Sequence, residues 1–467
     1  MTASKTMKRT LITLVTVLVA LGLSAQEKKE IIKKGINLGP LPVVAFDADK
    51  GFQAGALLNI YDFGDGATYP NPYSQWYMEA SFFTKGSQLY VLTYDTKSLI
   101  PGVRFSPGVV LINDKALDFY GFNGYQSYYD HERVAQGKND PQSYLFSPYY
   151  KTARTHLIAK ADFTGEIIKD KFYWEAGYMF NWFRQGAIDR VKVNKGKDPE
   201  KMYPDEMPTL YEQYRTWGII SDEEDGGGIN SGLKLGLMYD TRDVENSPNK
   251  GLWIEGHAIL APKWLGTSNP YYRYSFTFRH YIPLVMKKLT LAYRLNYQGT
   301  MGESAPFYVL PFFSMFGSSY DRDGMGGYRT VRGMMRNRVQ ALDVAFYNAE
   351  LRWKFVDFQL FKQNIAFSIT AFSDGAIAVR PYDMSFKKDI TDFSTPALYM
   401  AAKKEYDDYM AQSTTYGTNH FDALHATVGA GLRFIMNQNF IVAFEYGKPL
   451  NKQDGNGAFY INTGYLF

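Results

Sequence analysis

The feature that most constrains this sequence is its last eleven residues, GAFYINTGYLF. Phe459, Ile461, Thr463, Tyr465 and Phe467 occupy every second position of that segment. Successive side chains of a β-strand point to opposite faces, so the segment predicts a strand with one aromatic or β-branched face. An exposed apolar edge strand aggregates in a soluble protein, but it can close a barrel in a membrane. We therefore interpret these five residues as a C-terminal barrel signal, with the buried last strand of a soluble sandwich as the alternative.

The first residues predict export. Several basic residues precede an apolar run at 11–23, and Ser24-Ala25 provides a small-residue cleavage site. Together they predict a signal peptide, residues 1–25, that is removed on export. The apolar run is shorter than the roughly 20 residues that a membrane helix needs. Residues 26–35 are expected to form a short periplasmic tail, too short for a folded domain before the barrel.

The composition favours a membrane barrel and excludes several other classes of protein. Aromatic residues make up 16% of the chain, with 37 Tyr, 33 Phe and 41 Gly, as expected where aromatic girdles flank a lipid-facing band. The chain has no cysteine, which excludes disulfides, cysteine metal sites and a lipid-modified cysteine anchor. The net charge of +4 is spread along the chain without a basic stripe, so we predict no nucleic-acid partner.

The sequence contains no recognisable catalytic or metal-binding pattern. The six histidines do not form HExxH or another ligand pair, and no Gly-x-Ser-x-Gly occurs. Two acidic segments, 222–226 and 321–324, lack the twelve-residue spacing of an EF-hand and are interpreted as solvated loops. We predict that the chain is not an enzyme and binds neither a metal nor another cofactor.

Alternating apolar and polar residues recur from residue 41 to the last residue. The apolar positions fit a lipid-facing surface and the polar positions fit a watery lumen. The pattern predicts sixteen strands, at approximately 41–47, 52–61, 74–84, 88–95, 102–112, 154–166, 171–184, 231–241, 250–260, 271–283, 288–299, 342–356, 364–374, 424–436, 439–449 and 457–467. The predicted fold is all-β, a sixteen-stranded antiparallel transmembrane barrel formed by residues 36–467.

The predicted connections fall into two length classes. Most gaps after even-numbered strands are short, whereas long gaps follow odd-numbered strands at 113–153, 185–230, 300–341 and 375–423. Outer-membrane barrels have short periplasmic turns and long outer loops, so the long gaps are assigned to the outside. The exception is 62–73, a long turn on the periplasmic side that is expected to weaken the strand register there.

The sixth outer loop carries a family resemblance. It contains the segment GGYRTVRGM, in which Val331, Arg332 and Gly333 are followed by Met334. On these residues the chain resembles the BamA/TamA surface-antigen superfamily of outer-membrane barrels. The sixth outer loop of that family carries a Val/Ile-Arg-Gly-Phe/Tyr signature, so Met334 stands in place of the aromatic residue.

Further segments match the same family in the same order: YDTRD at 239–243, PNKG at 248–251, NAELR at 348–352, FSDG at 372–375, GAGLR at 429–433, FEYG at 444–447 and the terminal strand. The resemblance extends from about 229 to 467, whereas residues 36–228 match only as strands. It implies a sixteen-stranded barrel with the sixth outer loop folded inward. The periplasmic docking domains usual in the family are missing, so a bare-barrel member is expected.

The charges around the loop fit an inward position. By strand alternation Glu350, Asp374 and Glu445 point into the barrel, and each could accept a bidentate bond from Arg332. A buried guanidinium without a partner is very costly. The resemblance implies that the partner is the acid of the thirteenth strand, Asp374. We predict that this pair pins the loop in the lumen; the alternative is a solvated arginine.

The sequence leaves three functions open, of which the first follows from the family resemblance. The resemblance implies an outer-membrane protein of a double-membraned bacterium that assists the assembly, insertion or export of outer-membrane or surface proteins. A weak seam would serve that function, and Pro40 and Pro42 of the first strand cannot donate ladder hydrogen bonds. The expected partners are outer-membrane lipid and the barrel-assembly machinery or another outer-membrane complex.

The second function is a passive or plugged channel, since sixteen strands enclose a wide lumen. Such a channel would favour anions if its lumen-facing cations were free. Those cations are Lys234, Arg273, Arg279, Arg294, Arg352 and Arg433. The third function is a structural subunit whose long outer loops bind partners.

Overall fold

The computed structural model describes residues 31–47, 51–84, 86–135, 145–312, 316, 324–415 and 421–467. The predicted signal peptide lies outside the described residues, as does the first half of the predicted tail. In the described part of the chain, sixteen strands form one sheet, and each strand pairs antiparallel with its neighbours in sequence. The predicted sixteen-stranded antiparallel barrel is therefore confirmed.

The strands, most of them longer than predicted, are β1 (Ile36–Asp47), β2 (Gly51–Asp62), β3 (Ser74–Phe83), β4 (Gln88–Ile100), β5 (Val103–Asp118), β6 (Lys151–Ile168), β7 (Phe172–Gly186), β8 (Gly226–Asp240), β9 (Gly251–Ala261), β10 (Tyr271–Val285), β11 (Leu289–Met301), β12 (Asp343–Leu360), β13 (Gln363–Arg380), β14 (His425–Met436), β15 (Phe440–Pro449) and β16 (Ala458–Thr463). The described connections contain α1 (His131–Ala135), α2 (Arg190–Asn194), α3 (Leu210–Thr216) and α4 (Pro396–Thr415). None of these helices is long and apolar enough to cross a membrane.

Each strand has one face toward the lumen and one toward lipid. In β12, the side chains of Asn348 and Glu350 are fully buried, whereas Leu351 is 41% and Trp353 42% exposed. A strand alternates its side chains between two faces, so the polar positions of the sequence pattern line the lumen. This is the arrangement expected of an outer-membrane barrel.

The expectation that the long turn after β2 weakens the register is wrong. β2 and β3 pair without a break from Gln53 and Phe83 to Asp62 and Ser74. The backbone N–H of Tyr73 donates to the carbonyl of Asp62 at 2.8 Å, which closes the turn at its base. The extra residues of the turn therefore lie beyond the end of the sheet and do not disturb the β2–β3 ladder.

The two strands at the ends of the sequence differ from the prediction. β1 begins earlier, at Ile36, and contains Pro40 and Pro42 within its ladder with β2. The predicted last strand is too long, because β16 ends at Thr463. Gly464 then takes a φ of +86°, a left-handed conformation that glycine adopts without strain.

The last residues of the sequence turn into the lumen. The carbonyl of Phe467 accepts a hydrogen bond from Nη2 of Arg352 at 3.0 Å. The Cζ of Arg352 lies 4.2 Å from the ring centre of Tyr465 and 4.9 Å from that of Phe467. Arginine over an aromatic face is attractive, so lumenal cations draw in two rings that strand alternation alone would place on the lipid face.

One apolar core joins the described parts of the long outer connections at the outer mouth of the barrel. It is formed by the β5–β6, β7–β8, β11–β12 and β13–β14 connections together with lumenal residues of the wall. Trp217 is fully buried there, with its ring centre 5.3 Å from that of Tyr409 in α4. The ring centres of Phe122 and Tyr382 are 4.4 Å apart. The long outer loops therefore pack on one another and form a cap.

We expect Phe467→Ala to destabilise the barrel by ~3 kcal/mol, since it removes a buried aromatic side chain. Phe361→Ala is the matched control, because Phe361 is 87% exposed in the turn between β12 and β13, outside the strands. Urea unfolding of both variants, refolded in detergent micelles, measures the difference. Equal unfolding midpoints would contradict a stabilising role for the inserted tail.

Candidate functional site: the sixth outer loop and the seam

The candidate site is built around Arg332, in the connection between β11 and β12. Its side chain is fully buried. Nε and Nη2 donate to the two carboxylate oxygens of Asp374 in β13, at 2.8 and 2.9 Å, a bidentate geometry. Nη1 donates to Glu350 of β12 at 2.6 Å and to Glu445 of β15 at 2.8 Å. One guanidinium thus joins three strands to the loop.

Two further arginines complete the charge network. Arg433 Nη2 donates to Glu445 at 2.6 Å, and Arg352 Nε donates to Glu350 at 2.6 Å. The network then holds three arginines and three carboxylates, all nearly or fully buried. Burying a charge is tolerable only where an opposite charge and hydrogen bonds compensate for lost water. Equal numbers of the two charges meet that condition.

The sequence did not indicate every member of this site. The ring of Phe372 lies under the guanidinium, with its centre 3.6 Å from Cζ of Arg332. Phe372 belongs to a matched family segment, but only the folded chain places it there. Arg352 and Arg433 were predicted as lumenal cations; they lie in the lumen and form part of the network.

Gly333 allows the loop to touch the wall backbone to backbone. A Cβ on Gly333 would lie 2.4 Å from the carbonyl carbon of Gly447 in β15, and one on Gly447 would lie 2.7 Å from that of Arg332. Side chains at these positions would push the loop away. The N–H of Gly333 donates to the hydroxyl of Tyr460 in β16 at 2.9 Å. The loop therefore also holds the last strand.

The residues beside Arg332 are held by packing and by wall side chains. Val331 is fully buried and Met334 is 1% exposed, and both lie in an apolar cluster with residues of β12 and β13. Asn348 Nδ2 donates to the carbonyl of Thr330 at 2.6 Å, and Arg294 Nη2 donates to that of Arg329 at 2.9 Å. Met334 thus fills an apolar space where the family signature has an aromatic residue.

A second buried cluster joins the outer connections to one another. His425 lies between two carboxylates, with Nδ1 2.6 Å from Asp454 and Nε2 3.0 Å from Asp422. The hydroxyl of Tyr125 donates to Asp454 at 2.7 Å. Burial pushes the pKa of Asp454 upward, but the neighbouring His425 and Arg338 outweigh burial and hold that pKa below its usual value. The cluster ties the cap to the top of the wall.

The sheet is weakest where its two ends meet. β1 and β16 lie side by side, but no ladder pairing joins their described residues. β16 pairs with β15 over six positions, whereas β1 pairs with β2 over twelve. Below Thr463 the chain has left the wall, and a Cβ on Gly39 would lie 3.7 Å from the ring of Phe440 in β15. We call this junction the seam.

The acidic segments do not form a metal centre in the described part of the chain. Glu224 accepts a hydrogen bond from the N–H of Phe307 at 3.0 Å, which gives it a structural role, and burial raises its pKa. Residues 321–323 lie outside the described residues. Among described residues, no group of three His, Asp or Glu side chains is arranged to hold a metal ion.

We expect Arg332→Ala to destabilise the barrel by ~3 to 5 kcal/mol, because it leaves buried carboxylates without their cation. Arg329→Ala is the matched control: it lies in the same loop, but its side chain is partly exposed. Urea unfolding measures the stability, and limited proteolysis of the intact barrel measures the order of the loop. Equal stability and equal protease resistance of the two variants would contradict a pinning role.

A model of the Omp85 superfamily domain matches residues 123–467. A search of curated proteins found no match. Among solved structures, the chain is similar to BamA from Haemophilus ducreyi lacking POTRA domains 1–3, with 14% identity, a TM-score of 0.48, and coverage of 92% of this chain and 70% of that chain.

Two further solved structures are similar. CdiB from Escherichia coli has 10% identity and a TM-score of 0.49, with 92% of this chain and 63% of that chain covered. CdiB from Acinetobacter baumannii has 13% identity and a TM-score of 0.44, with 93% and 60% covered. The chain therefore spans less than two thirds of either CdiB chain, and identities this low transfer no function. The family match is decisive, because it covers well over half of the sequence: the chain belongs to the Omp85 superfamily.

Proposed function

We propose that this outer-membrane barrel is a non-enzymatic protein that assists the insertion, assembly or export of outer-membrane or surface proteins. The observation that carries the proposal is the seam, where β1 and β16 lie side by side without ladder pairing between their described residues. Family membership supports the same class of function. The signal peptide at 1–25 and the periplasmic tail at 26–35 stay predictions of the sequence.

The seam offers backbone hydrogen-bonding groups inside a membrane. An unpaired strand edge in the hydrocarbon region is costly, because no water is present to satisfy its N–H and C=O groups. A client strand that adds to β1 or β16 would satisfy those groups and so lower the cost of its own insertion. Pro40 and Pro42 remove two donors from β1, which favours an edge that pairs reversibly.

The charge network around Arg332 holds the strands on the β16 side of the seam in fixed positions. Arg332 joins β12, β13 and β15 through buried ion pairs, and Gly333 contacts Tyr460 of β16. Opening at the seam would then move β1 relative to a sector that stays fixed. In this proposal the loop is a positioning element and not a catalytic group.

The passive anion channel has less support. Four of the six predicted lumenal cations pair with a carboxylate that compensates their charge, and the other two, Arg273 and Arg294, are buried and donate to neutral oxygen atoms. Lys234 Nζ lies 2.6 Å from Asp162 and Arg273 Nη1 donates to the carbonyl of Val309 at 2.9 Å. Arg279 pairs with Glu255. The apolar cap packs over the same lumen. The third function, a structural subunit whose outer loops bind partners, would use the surface of the cap.

Locking the seam tests the proposed function. A cysteine pair with one member in β1 and one in β16 will form the only disulfide, since the chain has no cysteine of its own. We expect the oxidised barrel in proteoliposomes to lose its acceleration of the folding of an unfolded outer-membrane barrel, and reduction to restore it. The control pair, Ala56→Cys with Ala80→Cys, bridges paired positions of β2 and β3 and leaves the rate unchanged. Undiminished acceleration by the oxidised seam variant would refute the proposal.

Planar-bilayer recording tests the channel alternative. We expect the native barrel to show little steady conductance, because the outer connections pack into an apolar core over the lumen. Deletion of α4, which carries Tyr409 of that core, is expected to raise the conductance. A large anion-selective conductance of the native barrel would instead favour the channel.

A further inference from the structure

The long periplasmic turn between β2 and β3, residues 63–73, reaches across the mouth of the barrel. The hydroxyl of Tyr69 donates to the carbonyl of Asn437 at 3.2 Å. Asn439 Nδ2 donates to the carbonyl of Pro70 at 2.6 Å. Asn437 and Asn439 belong to the β14–β15 turn, so these contacts join hairpins that lie on opposite sides of the seam.

The segment before β1 makes the same crossing. The N–H of Ile31 donates to Oδ1 of Asn364 at 3.1 Å, and Nδ2 of Asn364 donates to the carbonyl of Ile31 at 3.0 Å. Lys33 Nζ donates to the carbonyl of Lys362 at 2.6 Å. Asn364 Nδ2 also donates to the hydroxyl of Tyr69 at 3.4 Å. Asn364, near the start of β13, therefore receives both crossing segments.

The two crossing segments are packed together as one unit. Gly35 N–H donates to the carbonyl of Gly64 at 2.8 Å, and Phe63 N–H donates to the carbonyl of Gly35 at 2.9 Å. Gly66 has a φ of +85°, and a Cβ there would lie 2.8 Å from the carbonyl of Lys33. We call residues 31–35 and 63–73 the strap.

The strap spans the part of the wall that the sheet leaves weakest. Along the wall, β2 and β14 are four strand steps apart, or about 19 Å at ~4.8 Å per step. Those steps include the seam. At this end β16 has already turned into the lumen after Thr463, and Gly39 of β1 stands opposite Phe440 of β15. Among the described residues, the strap supplies the hydrogen bonds that join the two sides there.

We propose that the strap is an intramolecular clasp that holds the seam closed at its periplasmic end and detaches when the seam opens. The role of opening in client handling rests on the proposed function; the clasp itself is a property of the seam. Its cross-seam hydrogen bonds are partly buried or exposed, so water can replace each of them at little net cost. The clasp is therefore reversible, unlike the buried network around Arg332.

Removing the side-chain hydrogen bonds of both crossing segments tests the clasp directly. Asn364→Leu removes the two bonds to Ile31 and the bond to the hydroxyl of Tyr69. Tyr69→Phe removes the hydroxyl but keeps the ring that packs 5.5 Å from Phe63. Asn439→Asp removes the donor to Pro70 and keeps the acceptor for Asn246. Tyr73→Phe is the matched control, since the hydroxyl of Tyr73 contacts Asp65 within the strap and does not cross the seam.

The measurement is hydrogen–deuterium exchange of the purified barrel in lipid nanodiscs. In the triple variant Tyr69→Phe/Asn364→Leu/Asn439→Asp we expect the amides of 36–39, 41 and 458–463 to exchange at least threefold faster than in the native barrel. Those of β9 and β10, far from the seam, keep their rates, and Tyr73→Phe behaves as the native barrel. If the amides of the strap, 31–35 and 64–73, exchange faster while those of 36–39, 41 and 458–463 do not, the strap has detached without releasing the seam, and the proposal is overturned.

A locked variant provides the complementary result. Ile31→Cys with Asn364→Cys joins the strap covalently to the start of β13, since the side chain of Asn364 contacts both backbone groups of Ile31. We expect exchange at the seam to fall at least threefold on oxidation and to recover on reduction. Unchanged exchange in the locked barrel would also overturn the clasp. Both readouts concern the seam alone, so they hold whether or not the barrel accelerates client folding. If exchange at the seam changes as expected but locking the seam does not affect client folding, the proposed function is refuted and the clasp is supported.

Discussion

The structure depends on the burial of one guanidinium, that of Arg332, inside a membrane barrel. A buried arginine without partners would expel the loop from the lumen, because the desolvation cost has to be met by opposite charge and hydrogen bonds. Asp374, Glu350 and Glu445 supply both from three strands. The ion pairs thus link the position of the loop to the spacing of these strands, and we expect neither to be stable without the other.

This interaction divides the wall into two mechanically different parts. The sector from β11 to β15 is joined by its ladders and by contacts to the loop, including that of Arg294 with the carbonyl of Arg329. β16 is paired over six positions only, and it is held from inside by the hydrogen bond between Tyr460 and Gly333. β1 has no comparable contact with the loop among described residues. Movement at the seam is therefore expected to occur mainly on the β1 side.

The sequence predicted the parts of the structure that local patterns determine. Strand alternation determined the barrel and the inward direction of Glu350, Asp374 and Glu445, because alternation is a property of each strand alone. Alternation wrongly placed the rings of Tyr465 and Phe467 on the lipid face. The sequence pattern continues there, but Arg352 in the lumen attracts both rings inward. Contacts across the barrel, such as this one and the ring of Phe372 under Arg332, depend on closure of the sheet and leave no local pattern.

The turn at 63–73 is a second feature whose contacts the sequence did not reveal. Its length alone suggested a defect in strand pairing, since an outer-membrane barrel normally has short periplasmic turns. The ladder beside it is regular, so the extra residues have to be explained by what they touch. They touch the β14–β15 turn across the seam, where solvent can compete with each hydrogen bond. The buried ion pairs of Arg332 hold the loop, and through Gly333 and Tyr460 the loop holds only the β16 side of the seam. The side-chain hydrogen bonds that cross the seam among described residues belong to the strap and are open to solvent, so we expect the seam to open first at its periplasmic end, where the strap lies.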